Sequence, residues 1–534
     1  MIYGTMYLPN MFEILFHERN NTMKQAKKTR NTAALLALLM LGASCIASCG
    51  DAQSKNTPVV TEADTAAVTE AVVEVDPYAT ILDAIPEGTD YAGKQIRMRI
   101  NTFDQTQYDS ELFMKGPDEA DGDVVHDAIL ERNRRVEERL NVEFTYEIVD
   151  LTWDNVQPDL KKVIMAGDDV YDLVIDQQYG LLKIASENMF YNIFDAGVND
   201  FTKEYWWDDY MEELQLHSDS RYLFAGDYFL DVVEVASAIF FNKAMYLSHY
   251  EDPNELYQLA LDGKWTIDAL GTYVKDFSQD IDGNGKLEDG DVFAMNMSRN
   301  FMDAQCFGAG VDYMVRGEDG YPVMNLEDPL ITTTMEKIVA NYLEPGKTYD
   351  FNTGGVSEAE YYQNQRKAFA DQKLLFLNDY LAAVKDLRDM KDDYGILPIP
   401  KVDESVDDYR TVSHDTALLG GIPTTCPEPE KVCTVLEALC SMSHNTTMVT
   451  YFESAMKVKY ARDESSSQMI DLLHDSITTS FPYAFAGQLN NYHEVFRELF
   501  DQKSAAYVTN YEKKRKALDK MFTKLITAYE EAQG

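Results

Sequence analysis

Strand and helix patterns alternate along the first third of the folded region. Apolar and basic residues alternate over 96–100, and a helix is predicted over 123–141 because positions i, i+3, i+4 and i+7 are apolar. The patterns that follow are a strand over 142–149, a helix around 155–167, an apolar strand over 171–175 and a helix over 181–189. This βαβ spacing predicts an α/β fold with a mainly parallel sheet. Ligands bind beyond the carboxyl ends of such strands, which makes Tyr179 a candidate.

From about residue 240 the pattern becomes more helical. Helices are predicted over 241–250, 253–263 and 266–279, and Trp265 is expected in the core at the start of the last one. A strand-like run over 373–377 is followed by Asp379 and Tyr380, which we expect in a loop. After a helix around 381–390 comes another strand-like run over 394–400. The end of the chain, from about 482 to 534, is predicted to be helical and charged.

The amino terminus has the layout of a secretory signal peptide. Basic residues over 24–30 precede the apolar run 33–41, which is too short to span a bilayer comfortably. Residues 1–48 are predicted to be removed, and Met23 is proposed as the true start.

Ile46, Ala47, Ser48 and Cys49 resemble a bacterial lipobox, so Cys49 is predicted to carry the lipid; an ordinary cleaved signal is the alternative. Residues 49–89 are then a lipidated cysteine with a flexible tether, rich in Thr, Ala, Val and Glu.

The charge balance excludes some partners. With 47 basic and 91 acidic residues, the formal net charge is −44, which argues against nucleic acid and against binding anionic lipid through net protein charge. Aromatic residues make up 12% of the chain, which suits a folded body and is compatible with a cleft in which sugars stack.

One motif has the spacing of a calcium-binding loop. Calcium prefers several hard oxygen ligands, and Gly285 stands at the sixth position, where such a loop must turn sharply. The expected ligand positions are Asp280, Asp282, Asn284, Lys286 through its backbone carbonyl, Glu288 and Asp291. An Asp at the twelfth position has a shorter arm than the usual Glu, which lowers the expected affinity. A structural calcium ion is predicted; an Asp/Gly-rich turn without an ion is the alternative.

Five stretches, in consistent order, resemble the family 1 extracellular solute-binding lipoproteins of ABC importers. They are Tyr91–Lys94, Tyr205–Trp207 with Arg221–Asp227, Phe240–Lys243, Gly263–Thr266, and Phe369–Ala370 through Leu387–Arg388 to Gly395–Lys401. The resemblance implies a type II periplasmic-binding-protein fold, in which two α/β lobes are joined by crossing strands. Lobe one would comprise 90–235 plus 396–450, and lobe two 236–395 plus 451–534, with a helical carboxyl terminus.

The same resemblance implies a function. The protein would be a monomer without catalytic activity, anchored by lipid on the extracytoplasmic face of the cell membrane. It would deliver a small solute, expected to be a carbohydrate and specifically an oligosaccharide, to a membrane permease of the ABC type. A carbohydrate-active hydrolase remains an alternative, since many carboxylates are present. A peptide or polyamine receptor of the same fold is another.

Ligand contacts are predicted from position and chemistry. Trp206 and Trp207 are adjacent, so we expect that they do not both face the core; one stacks on a sugar ring or packs between the lobes. Asp carboxylates suit sugar hydroxyls because they accept two hydrogen bonds. The full set of predicted ligand contacts is Tyr179, Trp206, Trp207, Asp227, Tyr228, Asp379, Tyr380 and Asp415. For each of the Asp and Tyr residues, a helix cap or a solvated loop is the alternative.

Overall fold

The helix predicted over 123–141 is observed over Val124–Leu140, and its ends show how local sequence sets the boundaries. Asp123 caps the amino end, where its carboxylate accepts hydrogen bonds from the backbone N–H groups of Val125 and His126. Asn141 ends the helix in the left-handed conformation, with φ of 50°. Ile129 and Val136 lie on the apolar face and are fully buried.

The computed structural model describes residues 76–102, 110–152, 154–352, 355–452 and 464–533, all within one compact unit, Glu74–Gly534. Its strands are β1 (Lys94–Asn101), β2 (Val142–Val149), β3 (Leu173–Gln177), β4 (Leu223–Phe224), β5 (Ser237–Asn242), β6 (Phe293–Asn296), β7 (Met314–Arg316), β8 (Pro322–Met324), β9 (Thr348–Tyr349), β10 (Leu374–Tyr380), β11 (Tyr394–Leu397), β12 (Thr411–Val412), β13 (Leu418–Gly421) and β14 (Ile477–Thr478).

The α-helices surround these strands. They are α1 (Ser110–Lys115), α2 (Val124–Leu140), α3 (Val156–Ala166), α4 (Gln178–Ala185), α5 (Asp208–Glu213), α6 (Asp231–Glu234), α7 (Lys243–Leu247), α8 (Asn254–Leu261), α9 (Ile267–Val274), α10 (Met302–Gly308), α11 (Pro329–Ile338), α12 (Glu358–Ala370), α13 (Ala383–Asp386), α14 (Pro429–Asn445), α15 (Thr447–Tyr451), α16 (Glu464–Asp475), α17 (Phe481–Ala484), α18 (Glu494–Asp501) and α19 (Tyr507–Gln533). None of these described helices combines the length and apolarity needed to cross a bilayer.

Two mixed five-stranded sheets form the centres of two lobes, so the predicted α/β, two-lobed fold is confirmed. The first sheet has the order β2-β1-β3-β13-β4, and the second has the order β11-β5-β10-β6-β9. The prediction of a mainly parallel sheet is confirmed, because four of the five strands in each sheet run in the same direction. Strand β13 runs antiparallel to β3 and β4, and β5 runs antiparallel to β10 and β11. At both β5 and β13 the chain arrives from the other lobe. Each of these strands therefore runs in the direction opposite to its neighbours in the sheet.

The chain crosses between the lobes along three adjacent segments. The first leads from α6 into β5, and the second returns from β11 through β12 to β13. They meet where the His414 N–H donates to the Val235 carbonyl (3.0 Å) and Ala236 bridges Ser413. The third segment is β14, which pairs in parallel with β12. The expected crossing strands are therefore present, and they form a narrow junction between the two sheets.

Two local predictions are wrong, both because a strand extends further than its apolar run. Residues 241–242 belong to β5, not to the predicted helix over 241–250, and α7 begins at Lys243. Asp379 and Tyr380 are the last residues of β10, not members of a loop. By contrast, Trp265 lies in the core as expected: its side chain is fully buried and its indole N–H donates to the Pro398 carbonyl at 2.8 Å.

The predicted signal peptide and Cys49 lie outside the described residues, as does the tether up to residue 75. The remainder of the predicted tether packs on the body. The Tyr78 hydroxyl donates to the Ala128 carbonyl (3.2 Å), and Asp83 accepts two hydrogen bonds from Arg139, at 2.6 and 2.7 Å. These contacts attach residues 77–89 to α2.

Candidate functional site

Polar segments from both lobes meet beside the junction of the crossing segments. On the first lobe, Tyr179 follows β3, and its backbone N–H donates to the Asp415 carbonyl at 3.1 Å. On the carboxyl-terminal side, the Ser413 N–H donates to the Thr478 carbonyl at 2.9 Å, which places the start of α17 next to the same crossing segment. Side chains that are far apart in sequence therefore share one region.

We call the side chains at this place the junction cluster: Tyr210, Tyr380, His414, Asp415, Tyr483 and His493. Four of its rings follow one another edge to face. The ring centroids are 5.6 Å apart for Tyr380 and His414, 6.1 Å for His414 and Tyr483, and 5.6 Å for Tyr483 and His493. The Tyr210 hydroxyl donates to Gln178 Oε1 at 2.7 Å, next to Tyr179. The rings of Tyr210, Tyr380, Tyr483 and His493 are all buried, with at most 5% of their surface exposed, and they bring several polar edges together.

Burial keeps two phenols and one imidazole of the cluster neutral. Burial is the main cause that raises the pKa of Tyr210 and of Tyr483, and the nearby Asp415 carboxylate raises both further. Burial lowers the pKa of His493, although Asp303 acts in the opposite direction. At neutral pH these side chains are therefore uncharged hydrogen-bonding groups around one carboxylate.

Buried polar atoms without a hydrogen-bond partner among the described residues surround the cluster. They are Gln178 Nε2, Asp303 Oδ1, Thr479 Oγ1, Ser480 Oγ and His493 Nδ1. Leaving a buried donor or acceptor unpaired costs about 1–3 kcal/mol, so native proteins rarely leave several together. Atoms of this kind are expected to bind a polar ligand or ordered water.

Three predicted ligand contacts lie in or beside this region. Tyr380 and Asp415 belong to the cluster, and Tyr179 is half-buried at the start of α4, with Lys183 Nζ 3.8 Å from its ring centroid. Asp379 points to the opposite face of β10. There its carboxylate accepts hydrogen bonds from Arg366 (2.9 and 3.0 Å) and from Gln365 (2.8 Å).

Trp206 and Trp207 are both buried, with 3% and 8% of their surface exposed, so the expectation that only one could face the core is wrong. Each indole N–H binds a different buried carboxylate. Trp206 donates to Glu437 at 2.9 Å, and Trp207 donates to Asp227 at 3.0 Å. Two acceptors on opposite sides of the chain allow adjacent tryptophans to be buried together.

Asp227 is the centre of a buried ion-pair network, which is joined to the junction cluster through Trp207, whose ring centroid lies 6.4 Å from that of Tyr210. His444 Nδ1 lies 2.5 Å from Asp227 Oδ2, and His474 Nε2 lies 3.8 Å from Oδ1. Burial raises the pKa of Asp227, but the two histidines outweigh it and lower that pKa below its ordinary value. Tyr228 is fully buried, with the Arg132 guanidinium 4.6 Å from its ring centroid. In this structure Asp227 and Tyr228 thus contact protein groups.

Sequence reasoning missed several members of the site. No ligand contact was predicted at Tyr210, Tyr483 or His493. The segment that carries Tyr483 and His493, residues 479–493, mixes polar and aromatic residues, and this mixture is its one notable signal in the sequence. Tyr210 lies on α5, three residues after Trp207. Its role depends on Gln178, which approaches only after folding.

The calcium-like loop has the expected turn and acidic centre. Asp280, Asp282 and Asp291 each place a carboxylate oxygen within 4.8 Å of the others. Gly285 has φ of 81°, and its N–H, like that of Gly283, donates to Asp280 at 2.7 Å. Asn284 donates to Glu288 Oε1 at 3.1 Å, and its own Oδ1 accepts from the backbone N–H of Lys286 at 2.8 Å. This set of hard oxygen donors fits calcium.

Comparisons with known proteins find matches among solved structures. No protein-family model matches the chain, and no curated protein matches it. Among solved structures, the chain is similar to an ABC transporter solute binding protein from Thermotoga lettingae TMO, bound with alpha-D-tagatose. The identity is 13%, the match covers 80% of this chain and 100% of that chain, and the TM-score is 0.47. A likeness at this level carries no argument about the function of this chain.

Proposed function

We propose that the protein is an extracellular solute-binding protein, anchored by lipid on Cys49, that delivers an oligosaccharide to an ABC-type permease. The observation that supports this most directly is the junction cluster. Buried polar atoms without partners, several aromatic rings and the Asp415 carboxylate meet between two lobes that are joined by crossing segments. The protein acts as a monomer and performs no chemistry of its own.

The chemistry of the cluster matches a sugar. Aromatic faces stack on the apolar face of a pyranose, and neutral phenols and imidazoles exchange hydrogen bonds with hydroxyl groups. The Asp415 carboxylate accepts from two adjacent hydroxyls. Because the lobes are connected by three narrow segments, a hinge motion opens and closes the site around the ligand.

A thermal-shift screen tests this proposal. The purified chain is heated with monosaccharides, oligosaccharides, amino acids, short peptides and polyamines in turn. A ligand at 100 times its Kd adds about 2.7 kcal/mol to the free energy of unfolding. We expect an oligosaccharide to raise the melting temperature, and Asp415→Asn to weaken its binding by about tenfold, which corresponds to about 1.4 kcal/mol.

Asp408→Asn is the matched control, because Asp408 is an exposed carboxylate on the same crossing segment. This variant should bind like the wild type. Stabilisation by peptides or polyamines alone would contradict the sugar assignment. Hydrolysis of a stabilising oligosaccharide, followed by chromatography, would instead indicate an enzyme.

We also propose that the loop over 280–291 binds a structural calcium ion. The carboxylates of Asp280, Asp282 and Asp291 support this, as does the turn at Gly285. The ion would neutralise part of the repulsion among these acids and fix the loop that leads into β6. With an Asp at the twelfth position we expect a Kd of about 10⁻⁴ to 10⁻³ M, which suffices outside cells.

Titration of calcium into chelator-treated protein measures the binding of calcium to the loop over 280–291. At ten times its Kd, calcium should add about 1.4 kcal/mol to the free energy of unfolding and raise the melting temperature. Asp282→Ala should abolish the shift, whereas Asp289→Ala, at an exposed position outside the predicted ligand set, should retain it. Absence of both heat and thermal shift in the wild type would exclude the site.

A further inference from the structure

The outer face of the carboxyl-terminal helix α19 carries a row of four lysines. Lys513, Lys516, Lys520 and Lys524 follow one another at intervals of three or four residues, and all four are exposed. This spacing places them along one side of the helix. The opposite side faces the body, where Leu518, among others, is buried. We call these four side chains the lysine row.

The lysine row is not neutralised by the protein. None of its members forms an ion pair within the described part of the chain, whereas the neighbouring Lys514 and Arg515 pair with Glu498 and Glu327. In a chain with 91 acidic and 47 basic residues, four exposed lysines along one side of a helix are a local excess of positive charge, with one exposed carboxylate, Asp519, beside them. At 1.5 Å per residue, the row is about 16 Å long.

We propose that the lysine row binds the anionic headgroups of a phospholipid surface and so orients the body on the membrane. Protein interfaces depend on buried aromatic or apolar anchors and are depleted in lysine. Between Lys516 and Lys524 the other exposed residues are Ala517, Asp519 and Thr523, none of which offers such an anchor. A straight row of cations matches the flat array of phosphates at a bilayer surface.

The net charge of the chain sets the orientation. The large excess of acidic groups repels an anionic bilayer, so the face with the lysine row can approach it more closely than the acidic faces of the described body. Binding through this row is weak and depends strongly on ionic strength. It is separate from the ligand site and from the proposed lipid on Cys49, because it requires neither a bound solute nor an acyl chain.

Vesicle co-sedimentation tests this with the full chain carrying Cys49→Ala, so that no acyl group is attached. Vesicles of equimolar phosphatidylglycerol and phosphatidylcholine are compared with vesicles of phosphatidylcholine alone, at low and high ionic strength. We expect binding to the phosphatidylglycerol vesicles that weakens at high ionic strength. Replacing the whole row (K513Q/K516Q/K520Q/K524Q) should reduce that salt-sensitive binding at least tenfold.

A second quadruple variant, K162Q/K275Q/K391Q/K503Q, is the matched control. It removes four exposed lysines that form no ion pair within the described residues, and so changes the net charge equally. It should bind like the parent, and both variants should keep the parent melting temperature. Equal loss in the two variants, or no loss in the first, overturns the proposal. Retention on immobilised polyglutamate without binding to the vesicles also overturns it, in favour of an acidic protein partner.

Discussion

Replacing Asp379 with Ala should lower the free energy of unfolding by about 3–5 kcal/mol. The carboxylate is fully buried at the end of β10 and binds Arg366, whose side chain is only 12% exposed. Burial alone lowers the pKa of Arg366, but the carboxylates of Asp379 and Asp386 raise it, so the guanidinium stays charged. Removal of Asp379 takes away the buried acceptor of Gln365 and leaves the Arg366 guanidinium with only the half-exposed Asp386 as its partner among the described carboxylates. Urea unfolding of both proteins measures the difference.

Asp386→Ala is the control, because Asp386 binds the same guanidinium (2.8 Å) but is 52% exposed. It should cost less than about 1 kcal/mol. The double variant Asp379→Leu/Arg366→Met should recover part of the loss, since both charges are then removed. If Asp379→Ala abolished sugar binding without loss of stability, Asp379 would be a ligand contact, as its sequence position predicts.

Raising the pH from about 6 to 10 should destabilise the protein through His474. Burial lowers the pKa of this imidazole, but Asp227 and Asp475 outweigh it and raise the pKa to about 10, compared with an ordinary value of 6.5. The folded state therefore keeps a proton that the unfolded state releases. The contribution to stability is complete below pH 6.5 and is lost as the pH rises through about 10. We expect a loss of about 2–4 kcal/mol, less than the full shift implies, because Nε2 lies 3.8 Å from Asp227.

His474→Gln should lower stability near pH 6 and flatten its decline toward pH 10. His249→Gln changes an exposed imidazole and should leave the decline unchanged. Asp227 limits the stability at the acidic end of the pH range. Its pKa is lowered in the folded state, so its contribution to stability is present above the ordinary value of 3.8 and is lost at lower pH. Urea unfolding across the pH range measures both limits. An equal decline in wild type and His474→Gln would show that other groups dominate.

Much of the fold is readable from local patterns. The strand predicted over 142–149 has the same bounds as β2, and the helix predicted over 123–141 ends within one residue of α2 at each side. Apolar periodicity and end caps are local properties, so they survive folding. The antiparallel direction of β13 is not local, because it depends on where the chain re-enters the first sheet.

The junction cluster is less predictable from the sequence than the helices and strands are, because its members come together only through long-range contacts. Tyr380 and Asp415 were found because they follow strand-like runs. Tyr483 and His493 are contributed by a segment that is held at the junction by long-range contacts, among them the pairing of β14 with β12 and the hydrogen bond from the Phe481 N–H to Glu213. For the two tryptophans, the sequence predicted ligand contacts where the structure shows burial. Trp206 is bound by Glu437 and Trp207 by Asp227, and no pattern near residue 206 indicates either pairing.

The strand order of the first sheet also determines when that sheet can be completed. Strand β13 lies between β3 and β4 in the sheet. In the chain, however, it comes after all five strands of the second sheet, so it is synthesised later than they are. Until residues 418–421 arrive, β3 and β4 each present an unpaired edge to other chains. A newly made chain would therefore depend most on protection from aggregation at this stage, before its carboxyl-terminal fifth is available.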